Sequence, residues 1–230
     1  MLGAGLKPCA FCYNQVMVSR IAVLGGTFDP LHVGHLAIAE DVRVALAVEH
    51  VLFVPAAQQP LKPGIHMATA LDRLAMARLG TADNPFFGVS DIEVRRGGVS
   101  YTVDTIAQLA LEYAQAELHF VLGADAALEL PRWHNIGRLL QLCQMVIVDR
   151  PGYQLDLRVL RKRLPLTDAR IIQIKGPNFD ISATELRQRL LNGQPVRYHL
   201  HPRVHDYIEQ NGLYRDAQRR DTSPTAAVVE

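Results

Sequence analysis

Cysteine is scarce in this 230-residue chain, with only Cys9, Cys12 and Cys143 present. Three cysteines cannot build a disulfide framework, so a reducing, cytoplasmic setting is expected. Cys9 and Cys12 read as C-x-x-C. No second pair or histidine at ligand spacing accompanies them, and no strand or helix signal frames them, so the pair is taken as incidental. Charge of one sign is also lacking: 24 basic residues against 23 acidic ones leave a formal net charge of +1. That balance provides no electrostatic footprint for a nucleic-acid duplex or an anionic membrane, so an anionic ligand must be held by a local group of donors. No apolar run approaches the roughly 20 residues of a membrane span, and residues 1–19 lack the apolar centre of a signal peptide. No carboxylates cluster at metal-ligand spacing, and no resident metal is expected.

What is present is an ordinary core composition, 49% hydrophobic and 20% charged, enough for one sizeable α/β domain. Ile21–Leu24, Val51–Pro55, "FFGVSDIEV", "LHFVLGAD" and "MVIVDRPG" read as short buried strands. Between them, helical spacing marks His35–Val48 (Leu36, Ala39, Val42, Leu46), a second helix through Leu71, Leu74, Ala75 and Leu79, and a third opened by "SYTVDTIAQLALEYAQA", with Val103, Ile106, Ala107, Ala110 and Tyr113 on one face. Alternation of this kind implies βαβ units and a parallel sheet flanked by helices. The C-terminal part reads as small and helical. "ISATELRQRLLNG" has Ser182 as N-cap with Glu185 three residues on and Gly193 past the end; "HPRVHDYIEQNGLY" has Pro202 in the first turn and Gly212 after the last. The expected organisation is an appendage over 1–19, with Met17 as an alternative start, a domain over 20–215, and a disordered tail over 216–230.

In parallel sheets ligands bind outside the carboxyl ends of the strands, and the segments there hold the unusual residues. In "IAVLGGTFDPLHVGH", Gly25 and Gly26 let backbone amides approach anionic oxygens. After a turn at Asp29-Pro30, His32 and His35 open a helix whose N-terminus favours negative charge. Two blander readings compete. A metal would need a third ligand, and H-x-x-H is not the H-E-x-x-H of a zincin. The histidines could instead simply cap their helix.

GGTFDPLHVGH resembles the GG[ST]FDPxHxGH signature of the nucleotidyltransferase superfamily. The resemblance implies a Rossmann-like fold, His32 and His35 as catalytic residues at the α-phosphate of ATP, and Gly25, Gly26, Thr27, Phe28 and Gly34 as its binding loop. "ISATELR" resembles the superfamily's IS[ST]T-x-[IL]R box, which implies ATP binding by Ser182, Thr184 and Arg187; Ala183 departs from the usual hydroxyl residue. The physics agrees, since a capped helix start offers free amides and an arginine fork suits a phosphate.

Three internal stretches, "GGVSYTVDTI", "FVLGADAALELPRWHN" and "IVDRPG", are similar to boxes of the bacterial nicotinate-nucleotide adenylyltransferases. That similarity implies Trp133, the single tryptophan, as a plate for the pyridine ring. It puts Tyr101, Thr102 and Arg150 at the same substrate, and Gly123 and Asp125 near the adenosine. Lys62 in "PAAQQPLKPG", where the family shows PPHK and this chain has Leu61 for the histidine, would meet the mononucleotide phosphate. The implied reaction joins ATP and nicotinate mononucleotide to give deamido-NAD and pyrophosphate, with Mg²⁺ carried on the ATP phosphates. Rival readings are nicotinamide mononucleotide or phosphopantetheine as acceptor, or a non-catalytic nucleotide sensor. Partners are expected to be these small molecules, with homo-oligomerisation left open.

Overall fold

The computed structural model describes residues 19–59, 68–149, 155–164, 171–178 and 180–215. The expectations for Cys9, Cys12, Met17, Lys62, Arg150 and the tail from Asp216 lie outside these residues.

Strand β1 (Arg20–Gly26) leads into helix α1 (Val33–Leu46), and β2 (His50–Pro55) into α2 (Ala70–Thr81). Strand β3 (Phe87–Val89) is followed by the short α3 (Ile92–Arg96) and by α4 (Thr102–Glu112). Strand β4 (Glu117–Gly123) runs into a single turn, α5 (Ala124–Ala127), then α6 (Ile136–Leu142) and β5 (Gln144–Val148). Helix α7 (Leu157–Arg163), β6 (Ile171–Ile174), α8 (Ala183–Leu191) and α9 (Pro202–Gln210) complete the described chain.

The strands pair in parallel, in the order β3-β2-β1-β4-β5-β6. Order reverses between β1 and β4, which is where an open α/β sheet forms its ligand crevice. Alternate residues of each central strand feed opposite faces. Ile21, Val23, Leu52, Phe120, Leu122 and Met145 pack with Val103, Ile106 and Leu109 of α4 and Leu139 of α6. Ala22, Leu24, Phe53 and Val146 pack with Ala39 and Val42 of α1 on the other side. Both faces are therefore apolar, which is why the strands read as continuous runs. A smaller apolar group joins Met76 of α2 to Leu186, Val204, Ile208 and Tyr214, fastening the C-terminal helices to the sheet domain. No described helix is long and apolar enough to cross a membrane.

Three expectations are corrected. "FFGVSDIEV" is strand only over Phe87–Val89, and Ile92 begins a helix instead of prolonging the alternation. On α2, Leu71 is 69% exposed, while Arg73, Leu74, Met76, Ala77 and Gly80 are buried, so the inner face is rotated from the expected one. Strand β6 and helix α7 were not expected.

Candidate active site

Pairing between β1 and β4 stops at Leu24–Val121, while pairing with β2 continues to Gly26–Pro55. The last two residues of β1 thus stand at the edge of the crevice. Gly25 there allows a close approach: a Cβ would come within 3.1 Å of the Phe120 ring. Gly25, Gly26, Gly123, Asp125, Tyr101, Thr102 and Trp133 all line one cleft of about 660 Å³. Its apolar wall is built by the Trp133 ring, set edge-on to Phe120 at 5.9 Å. Tyr101, the N-cap of α4, meets the His134 ring at 4.6 Å with the two planes tilted by 38°, which holds the Trp133 segment against that helix.

The histidines form a second group, one turn beyond Gly26. His32 is the N-cap of α1 and is 3% exposed; its ring stacks on His35 with centroids 3.7 Å apart. The His32 backbone N–H donates to His35 Nδ1 at 3.3 Å. In neutral His35 that assigns the ring proton to Nε2, a donor on the opposite edge. Capping is thus part of what the pair does, and it orients His35 for donation. Phe28 supports His35 from behind, ring edge to ring at 5.1 Å. Expected at the ATP, the Phe28 side chain is instead 2% exposed and in the core, so only its backbone could meet a ligand. Its φ of 51° is a strained value for a bulky residue.

The chain's two distant motifs meet here. Ser182 Oγ accepts from Glu185 N at 3.1 Å and caps α8, which leaves no capping task for the hydroxyl that Ala183 lacks. Arg187 Nη1 donates to the Asp29 carbonyl at 2.7 Å, and its Nη2 donates to Thr184 Oγ1 at 3.2 Å. Gly34 leaves room for the His32 ring, because a Cβ there would lie 3.0 Å from His32 Nδ1, while Ile181 of the second motif would be in ordinary contact at 3.8 Å. Asp29, 2% exposed, accepts the Tyr214 hydroxyl at 2.6 Å and the Ala68 N–H at 3.3 Å. Burial raises the Tyr214 pKa well above its ordinary value, and the Asp29 charge adds to this.

Two buried charges escaped the sequence reading. Arg73 on α2, 1% exposed, donates through Nη1 to the carbonyls of Thr27 (2.8 Å) and Ala56 (2.6 Å), and through Nη2 to that of Ala57 (3.0 Å). Burial lowers its pKa, with the charges of Asp29 and Glu93 acting against that. Glu93, 7% exposed and in the cleft lining, accepts from Thr105 Oγ1 at 2.6 Å, and Arg96 donates to the same hydroxyl at 2.9 Å. Burial raises the Glu93 pKa against these bonds and the Arg96 charge. Among the described residues no group of three or more His, Cys, Asp or Glu side chains could hold a metal ion.

A family model described as cytidylyltransferase-like matches residues 23–189. A protein of Roseiflexus sp. (strain RS-1), named probable nicotinate-nucleotide adenylyltransferase, is 54% identical over 195 residues, covering 85% of this chain and 98% of that one. One of the same name from Herpetosiphon aurantiacus is 49% identical, over 86% of this chain and 99% of its own. Among solved structures, the Plasmodium falciparum nicotinic acid mononucleotide adenylyltransferase complexed with NaAD superposes with a TM-score of 0.70. It is 20% identical and covers 85% of this chain and 97% of its own, a likeness of fold.

Proposed function

The chain belongs to the cytidylyltransferase-like family, and on that premise we propose that it is a nicotinate-nucleotide adenylyltransferase, transferring AMP from ATP to nicotinate mononucleotide. The relatives that share its full domain carry that name. One observation carries the reading further: the end of β1 forms part of a cleft also lined by Trp133, Tyr101 and Thr102, with the histidine pair one turn beyond.

The triphosphate lies along Gly25, Gly26 and the start of α1, with Ser182, Thr184 and Arg187 at its far end, where amide dipoles and the guanidinium favour anionic oxygens. Gly123 and Asp125 face the adenosine. The pyridine ring stacks on Trp133, and the segment from Tyr101 to Thr102 receives its carboxylate. A 5′-phosphate oxygen of the mononucleotide attacks the α-phosphorus; the bond from that phosphorus to the bridging oxygen breaks, and pyrophosphate leaves. Both reacting oxygens belong to the substrates, so the chain supplies position and charge stabilisation. His35 donates from Nε2 to the α-phosphoryl oxygens as their charge rises, and His32 holds it in that orientation. Magnesium arrives with ATP, bound to phosphate oxygens.

The test is pyrophosphate release with MgATP and, separately, nicotinate mononucleotide, nicotinamide mononucleotide and phosphopantetheine. A kcat/KM highest for the nicotinate compound is expected. Turnover only with another acceptor would retain the chemistry and overturn the pocket assignment, and binding of ATP without any turnover would make the protein a sensor.

A further inference from the structure

Arg73 is an unusual residue to find buried on α2: the same helix packs Met76 into the apolar group it shares with the C-terminal helices. Its three bonds all end on backbone carbonyls, and these carbonyls belong to two different loops. Thr27 lies between the cleft-lining Gly26 and His32. Ala56 itself lines the cleft, and the Ala57 N–H donates to Ser100 Oγ at 3.0 Å, just ahead of Tyr101. A guanidinium is planar and presents donors in a fixed fork, so it can hold separated acceptors at once; an ammonium is a point charge and cannot span them equally. We propose that Arg73 is a positioning residue that locks the loop after β1 to the loop after β2, fixing the histidine pair relative to the wall of the substrate cleft. The inference rests on the reading that these loops serve the two substrates.

The alternative is an arginine that contributes stability alone, and the two differ in what a folded variant does. Arg73→Lys keeps the charge and loses the fork. A displacement of about 1 Å in a reacting group costs on the order of 100-fold in rate, so the folded R73K protein is expected to lose at least ~10-fold in kcat. Met76→Ala, a buried change on the same helix that faces the C-terminal group, is the stability control, and its kcat is expected within about twofold of wild type. Each kcat is corrected for the fraction folded, read by urea titration at the assay temperature. An R73K kcat within threefold of wild type overturns the proposal, as does an equal loss in M76A.

Two further readings cover the remaining cases. Amide hydrogen exchange needs no substrate: faster exchange in R73K over both 27–32 and 56–59 supports the lock, and unchanged exchange overturns it. Absence of turnover in the wild type would fail the functional reading and still leave that comparison. If R73K does not fold, Arg73→Gly is refolded with methylguanidinium or methylammonium. Recovery of native tryptophan fluorescence and turnover with the planar cation alone supports the lock; any other pattern overturns it.

Discussion

Replacing Gly34 by alanine sets two effects of known size against each other. Alanine is favoured over glycine inside a helix by about 0.8–1.0 kcal/mol, and Gly34 is the second residue of α1. By propensity alone the variant would be more stable. The added Cβ, however, would lie 3.0 Å from His32 Nδ1 and 3.1 Å from Cε1. That ring is 3% exposed and stacked on His35, which in turn rests on Phe28 in the core. It cannot yield outward, so the overpacking cost of ~1–3 kcal/mol applies in full. G34A is therefore expected to be destabilised by about 0–2 kcal/mol, the difference between these two terms. Activity is the sharper readout. A shift of a few tenths of an ångström in the histidine pair, scaled from ~100-fold per ångström, predicts a fall in kcat of roughly three- to sixfold. Urea denaturation followed by Trp133 fluorescence gives the first quantity, and pyrophosphate release the second. A variant that is stabilised by ~1 kcal/mol and retains full kcat would refute the steric argument.

Tyr214→Phe removes a hydroxyl donated to a buried carboxylate and is expected to cost ~1.5–3 kcal/mol in urea at pH 7; a loss below 0.5 kcal/mol, about the size of an ordinary surface substitution, would show that Asp29 does not depend on it. Glu93 has a pKa raised by burial, so between its unfolded value, about 4.3, and its folded value the native state holds more protons than the unfolded one. Its contribution to stability is therefore greatest at low pH and is lost as pH rises through that window. The stability of wild type minus that of Glu93→Gln is expected to fall between pH 5 and pH 8, because glutamine stays neutral while the buried carboxyl must ionise, and a difference that rises with pH would contradict the assigned cause.

Much of this arrangement is legible in the sequence where a residue's role is local. Val51–Pro55 reads as a strand because four apolar residues meet a proline, and Ser182 reads as a cap because glutamate stands three residues on. "SDIEV" misleads because Ile92 and Val94 alternate as a strand would, while Ser90, whose Oγ accepts from Ile92 N, turns the chain into a helix. Strand β6 offers only four residues, Ile-Ile-Gln-Ile, too short for alternation to stand out. Helix α7 is short and ends in three successive basic residues, Arg161 to Arg163, which leave too few apolar positions for helical spacing to stand out. Arg73 is invisible for a different reason. Its partners are main-chain carbonyls of distant loops, and a carbonyl leaves no letter in the sequence. The same holds for Asp29, which reads as a turn residue and is also the point where Tyr214 and Arg187 return to the histidine loop.

The central claim is that the histidine pair acts on the transition state through His35 Nε2. The direct measurement is kcat and KM of His35→Ala with MgATP and nicotinate mononucleotide, beside mononucleotide binding read from Trp133 fluorescence. Removing one donor to a developing oxyanion costs about 100- to 1,000-fold in kcat. The account predicts a fall of that size with mononucleotide affinity unchanged. A kcat within threefold of wild type, or a loss confined to KM, would contradict it.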